Sequence, residues 1–326
     1  MRRRDFIALV GSTAAVWPLA ARAQQQANVR LVGFLVSDTP VQAAVRVQAL
    51  RDGLREFGYV EGRNIALETR YAEFNYDRLP ALVSNLVALN VDVLVTQGSP
   101  ATIAAQRATK TTPIVMTVVG DAVLQGIISS LSHPGGNVTG ISWQSAELIT
   151  KRLELLKEVM PNISEMAVLA NANNSATNSQ LKSLEVAAQS ANVRLFDETV
   201  RGPNELVAAV SAIADRGIHA LIIVDDGVLI ANAKTLADLA AIHEIGGVGF
   251  GEFTESGGLL AYGPNRLEMC RRVAYFVDKI LKGEQPADIP VEQPNKFDLT
   301  VNLKTAKALG LTIPTSVLVA ATDIIE

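Results

Sequence analysis

Five short polar clusters in this sequence each follow an apolar run, and their residue types suit binding better than bond-making. They are Ser37-Asp38, Gln97-Gly98-Ser99-Pro100-Ala101-Thr102, Gly120-Asp121, Asn171 with Asn173 and Asn174, and Asp225-Asp226. Ser99 suits a helix N-cap, and Pro100 the first helical position, where a missing N–H costs nothing. The backbone N–H groups freed there, with the hydroxyls of Ser99 and Thr102, stabilise an anion such as a carboxylate. Ser99 could equally do no more than cap its own helix. A buried cation needs a carboxylate partner. Asp225 or Asp226 is the first choice for that partner and Asp121 the second, although paired aspartates are also common turn formers.

Catalytic constellations are absent from the sequence. His133, His219 and His243 are far apart and in unrelated settings. There is no HExxH pair and no Cys/His ligand spacing, so neither a metal nor a cofactor is expected. No G-x-S-x-G elbow or Walker A sequence occurs. Asp225 and Asp226 are adjacent, so on an extended chain they point to opposite faces and are poorly placed to share one substrate bond. The single cysteine, Cys270, lies in a helical pattern and reads as a small buried hydrophobe. An enzyme is therefore not expected, with a periplasmic hydrolase as the remote alternative.

The elements that carry the polar clusters alternate. Arg30–Val36, Ile65–Tyr71, Val91–Val95 and Pro113–Val119 read as strands, separated by helical periods at Val41–Gly58, Asp77–Leu89 and Pro100–Thr109. Turn residues gather at 132–140, and the rhythm restarts with strands at Met166–Ala170, Arg194–Glu198, Ala220–Val224 and Gly247–Phe250. Such a βαβα rhythm implies parallel sheets covered by helices. The fold class is α/β: two doubly wound lobes joined by a multi-crossing hinge. The expected division is a first lobe of 28–140 plus 258–285 and a second of 143–256 plus 290–326. Crossings are expected near Thr139–Trp143, Glu252–Leu259 and Pro286–Pro294. In open parallel sheets a ligand binds outside the carboxyl ends of the strands, which is where the five clusters fall. Glu252 and Trp143, near the crossings, could line the same cleft, Trp143 reading first as a packing residue.

The first 23 residues read as an export signal. Arg2–Arg4 form a positive start, Phe6–Ala20 an apolar stretch, and Ala21-Arg22-Ala23 a small-x-small cleavage site before Gln24. Removing 1–23, which hold four arginines and one aspartate, takes the formal charge from −4 to −7. No basic stripe suited to nucleic acid remains, and no later apolar run is long enough to span a bilayer. With 48% hydrophobic and 19% charged residues the composition is that of a globular protein.

Several segments together resemble the substrate-binding family of ABC transporters that includes tryptophan- and tyrosine-associated receptors. They include Gly53-Leu54-Arg55-Glu56-Phe57-Gly58-Tyr59-Val60-Glu61-Gly62-Arg63-Asn64, Pro134-Gly135-Gly136-Asn137-Val138-Thr139-Gly140, Lys282-Gly283-Glu284-Gln285-Pro286 and Lys296-Phe297-Asp298-Leu299. The resemblance implies a type I periplasmic binding fold and a periplasmic protein that acts as a single chain. It further implies capture of a small molecule, an amino acid or related small carboxylate, for delivery to an ABC permease in the inner membrane. The ligand would lie among Ser37, Asp38, Gln97, Ser99, Thr102, Asp121, Asn171, Asn173, Asp225, Asp226 and Glu252. A ligand-sensing module for a membrane receptor is the alternative, since one fold serves both tasks.

Overall fold

Short runs of valine, isoleucine and leucine become central strands, because branched side chains pack well on a pleat covered on both faces. The computed structural model describes residues 29–326, so the segment read from sequence as an export signal lies outside the described residues. In the first lobe β1 (Arg30–Val36), β2 (Ile65–Tyr71), β3 (Val93–Gln97), β4 (Ile114–Gly120) and β5 (Val138–Trp143) form a parallel sheet ordered β2-β1-β3-β4-β5. The helices α1 (Pro40–Glu56), α2 (Leu79–Ala88) and α3 (Ser99–Ala108) link its strands. Strand β5 falls where the sequence shows mostly turn residues. Gly135 and Gly136, at φ 71° and 69°, make the turn, and Val138 and Ile141 then bury themselves beside β4. Gly140 is obligatory: a Cβ there would lie 2.2 Å from the Met116 carbonyl oxygen, where β4 shifts register.

Seven strands form the second sheet, β6 (Glu165–Asn171), β7 (Arg194–Val200), β8 (Ala220–Ile223), β9 (Gly246–Gly249), β10 (Leu260–Pro264), β11 (Phe297–Asn302) and β12 (Asp323–Ile325). Their order is β12-β11-β10-β9-β8-β6-β7, parallel except for the β10–β11 pair. The helices α4 (Ser145–Val159), α5 (Thr177–Ser190), α6 (Leu206–Asp215), α7 (Gly227–Ala231), α8 (Ala233–Ile242) and α9 (Gly251–Glu255) follow in order. The glycine run in β9 makes room for an aromatic ring: a Cβ on Gly247 would meet the Phe253 ring at 2.8 Å. After β10 come α10 (Arg266–Leu281), α11 (Leu303–Ala308) and α12 (Thr315–Ala320).

Each sheet is buried on both faces, giving two apolar clusters per lobe. One first-lobe cluster is completed from late in the chain. Met269, Val273, Phe276 and Val277 of α10 pack against Val47, Leu50 and Leu54 of α1. The chain therefore passes between the sheets at Trp143–Ser145, at Pro264–Arg266 and between the Glu292 bridge to Ile141 and Phe297. Leu260–Pro264, grouped with the first lobe from sequence, pairs with both β9 and β11 of the second sheet, and the crossing comes after it.

Candidate functional site

The carboxyl ends of β1, β3, β4 and β5 face those of β6 and β8 across a cleft. A narrow cavity lies between them, with about 50 Å³ open to a water-sized sphere. From the first lobe it is lined by Ser37, Asp38, Gln97, Ser99 and Trp143, and from the second by Gln180, Asp225 and Asp226.

The first-lobe wall is a chain of hydrogen bonds with spare capacity. Ser37 Oγ donates to the Gln97 carbonyl (3.3 Å), which leaves its lone pairs free to accept. Gln97 Nε2 donates to Asp38 Oδ2 (3.0 Å), and the same oxygen pairs with the buried Arg46 guanidinium. Gln97 Oε1 is buried without a partner. At the head of α3 the cap residue is Gly98 (φ 85°), Ser99 opens the helix and no side chain caps it. Ser99 thus sits one position further into the helix than its sequence suggests. Its Oγ accepts from Gln125 Nε2 (3.0 Å), so its own proton is available to the cavity. The Trp143 ring packs in the first-lobe core and the residue also lines the cavity; its buried indole N–H has no partner. Val118, also on the cavity wall, is held at φ 56° in the irregular part of β4, a conformation unfavourable for a β-branched residue.

On the second-lobe wall the two aspartates are engaged by protein groups, Asp226 in part by the first lobe. Asp226 caps α7, its Oδ1 accepting from Val228 N–H (2.8 Å) and Asn171 Nδ2 (2.9 Å). Its Oδ2 accepts from Asn174 Nδ2 (3.0 Å) and from the Tyr76 hydroxyl of the first lobe (2.8 Å). Burial pushes the Asp226 carboxyl above the usual range, and those donors pull part of the way back. The Tyr76 hydroxyl is raised well above its ordinary value, by burial first and then by the Asp226 charge. Asp225 turns the other way, to Arg152 (2.7 Å) and Arg266 (3.1 Å). Arg152 is fully buried, and Arg266 also pairs with Glu252. Gln180 Oε1 is the exception on this side, buried and unpartnered.

Three hydrogen bonds tie the lobes across the cleft: Tyr76 to Asp226, Gln42 Nε2 to the Ala231 carbonyl (3.1 Å), and Ser175 Oγ to Gln125 Oε1 (3.2 Å). The lobes are therefore closed on one another.

The remaining sequence candidates surround the cavity without lining it. Thr102 ties α3 to β3 through Thr96 Oγ1 (2.8 Å) and the Gly98 carbonyl (2.9 Å). Asp121 accepts from Ser145, Asn171 supports Asp226, and Glu252 lies in an outer hollow beside Arg266. Asn173 is exposed, bonded to the Arg201 carbonyl (3.3 Å). The sequence reasoning missed Arg46, Tyr76, Val118, Gln180 and Arg266. Tyr76 follows the end of β2, so the strand-end argument could have found it. Among the described residues no cluster of three or more His, Cys, Asp or Glu could hold a metal ion. No described helix is long and apolar enough to cross a membrane. Burial pushes the Cys270 thiol up to about 11, well away from a reactive thiolate.

A family model described as "ABC transporter substrate binding protein" matches residues 33–325. The chain belongs to this family. This substrate-binding protein is 28% identical over 259 residues to a tyrosine-binding protein of Clostridioides difficile, covering 79% of this chain and 74% of that one. Among solved structures, a conserved domain protein of Vibrio cholerae is similar at 29% identity and a TM-score of 0.85, over 91% of this chain and 99% of that one. An ABC domain in complex with L-Trp from Streptococcus pneumonia has the same fold, at 24% identity and a TM-score of 0.85, over 91% and 100% of the two chains. The type I periplasmic binding fold expected from sequence is the one found. The protein captures a small molecule for an ABC transporter.

Proposed function

We propose that the captured molecule is an amino acid or related small carboxylate, held as a zwitterion across the cleft. The observation that carries this reading is the sorting of unused hydrogen-bonding groups. Donors without a protein acceptor include the Ser99 hydroxyl, the uncapped head of α3 and the Trp143 indole N–H; Arg46 Nε is unpartnered too, but its guanidinium is already paired with Asp38. They suit a carboxylate, which the helix end also stabilises. Acceptors without a protein donor are the Ser37 lone pairs, Gln97 Oε1 and Gln180 Oε1, with Asp38 Oδ1 bonded to no described residue. They suit an ammonium, and Asp38, although paired with Arg46 through Oδ2, keeps Oδ1 to accept from it. The names of the tyrosine-binding relative and of the L-Trp complex agree with this class.

In this reading solute docks first on the first lobe, where the unused groups concentrate. Closure about the three crossings then brings Asp226 onto Tyr76 and Gln180 over the cavity. Closure excludes water and strengthens each polar contact. The closed surface is what the permease of the inner membrane recognises, and the protein works in the periplasm as a single chain after removal of residues 1–23.

A thermal-shift panel of the chain from Gln24 onward tests the reading against amino acids, small aromatic acids, peptides and sugars. A ligand specific for the native state at a hundredfold excess over Kd stabilises it by about 2.7 kcal/mol. An amino acid should give the largest shift. A sugar or peptide giving the largest shift, with amino acids inert, would overturn it.

A further inference from the structure

We infer that Gln125 is a positioning residue that couples an occupied cavity to lobe closure; the inference rests on the binding reading above. Gln125 does not line the cavity, yet three elements meet on its one amide. Nε2 donates to Ser99 Oγ at the head of α3 (3.0 Å) and to the Gly120 carbonyl at the end of β4. Oε1 accepts from Ser175 Oγ of the second lobe (3.2 Å). Both N–H bonds and the oxygen are thus committed, and the amide has one orientation that satisfies all three partners.

The segment carrying Gln125 is fixed independently of that side chain. Asp121 N–H donates to the Trp143 carbonyl (2.7 Å), Ala122 N–H to Ser142 Oγ (3.1 Å) and Gln125 N–H to the Asp121 carbonyl (3.0 Å). Its turns place Asp121 at φ 45° and Gly126 at φ 68°. The side chain therefore links two defined places. Accepting from Gln125 leaves the Ser99 proton to point at the ligand, and the same amide presents Oε1 to Ser175. Ser175 immediately precedes the cavity-lining Ala176, and Gln180 lies one turn further on in α5. A ligand acceptor that holds Ser99 in place holds the amide in the orientation the second lobe requires.

Two arms test this. In the first, Ser175→Ala removes the cross-lobe bond alone, and Gln125→Ala removes that bond together with the support of Ser99. With the amino acid of largest thermal shift as probe, Ser175→Ala should raise Kd about threefold, through dissociation with association unchanged, and Gln125→Ala roughly twentyfold. The double variant should match Gln125→Ala, because the Ser175 effect passes through Gln125. Effects that multiply in the double variant, or wild-type affinity in Gln125→Ala, would overturn the coupling. The second arm needs no ligand. Gln125→Cys combined with Ser175→Cys should be bridged by a short bis-maleimide, Cys270 being buried and inert. Absence of bridging would overturn the cross-lobe contact. If the wild type binds no amino acid, the binding reading has failed, and the bridging reaction still decides whether this contact closes the lobes.

Discussion

The two walls of the cleft are built on opposite principles. On the first lobe, Ser37, Gln97, Ser99 and Trp143 each keep a donor or acceptor unspent. On the second, Asp226 has three donors from its own lobe and gains Tyr76 on closure, and Asp225 is paired with two arginines, so neither carboxylate waits on a ligand. The difference assigns affinity to the first wall and rigidity to the second. A saturated wall can swing onto a loaded one without exposing a bare charge to a low dielectric, which would be costly.

The largest expected break in that comparison is Asp225→Ala. It leaves Arg152, buried at 0% exposure, without its carboxylate and should cost about 3–5 kcal/mol of stability, read by urea unfolding. A loss below 1 kcal/mol would show the second wall is not held by this pair. Ser99→Ala comes next and acts on the other quantity. It removes a hydrogen bond to a charged group worth about 1.5–3 kcal/mol, roughly ten- to hundredfold in Kd, while Tm moves little. Unchanged affinity would remove Ser99 from the site.

The smallest effect concerns pH and sharpens the picture of the saturated wall. The folded-state Asp226 carboxyl lies above the 3.8 of an unperturbed group. As pH falls toward that value the folded protein takes up this proton before the unfolded chain does. This component of stability therefore rises as pH falls and is lost as pH rises through the folded value. Asp226→Asn lacks the titration, so wild-type minus variant stability should grow from neutrality toward pH 4. A difference that is flat or shrinks would contradict it.

Most of the strand framework was legible because both faces of the sheets are buried and the apolar runs say so. Strand β5 was obscured by the turn glycines before it, whereas Gly257–Gly263 reads as a crossing strand in sequence and only its partners β9 and β11 place it inside the second sheet. The strand-end argument reached Ser37, Asp38, Gln97, Ser99, Asp225 and Asp226, all of which line the cavity. It could not separate Asp226, whose acceptors are spent on Asn171, Asn174 and Tyr76, from Asp38, which keeps one free, because that depends on residues distant in sequence. Arg46 and Arg266 were missed for the same reason: each reads as an ordinary helical arginine until its partners Asp38 and Asp225 are seen in space.

The most direct test of the two-ended cavity is calorimetric titration of the amino acid that gives the largest thermal shift. Beside it should run its decarboxylated amine and its deaminated acid. Each truncation abandons one set of unspent groups, so each analogue should bind at least about a hundredfold more weakly than the intact amino acid. Either analogue binding as tightly as the amino acid would contradict the account.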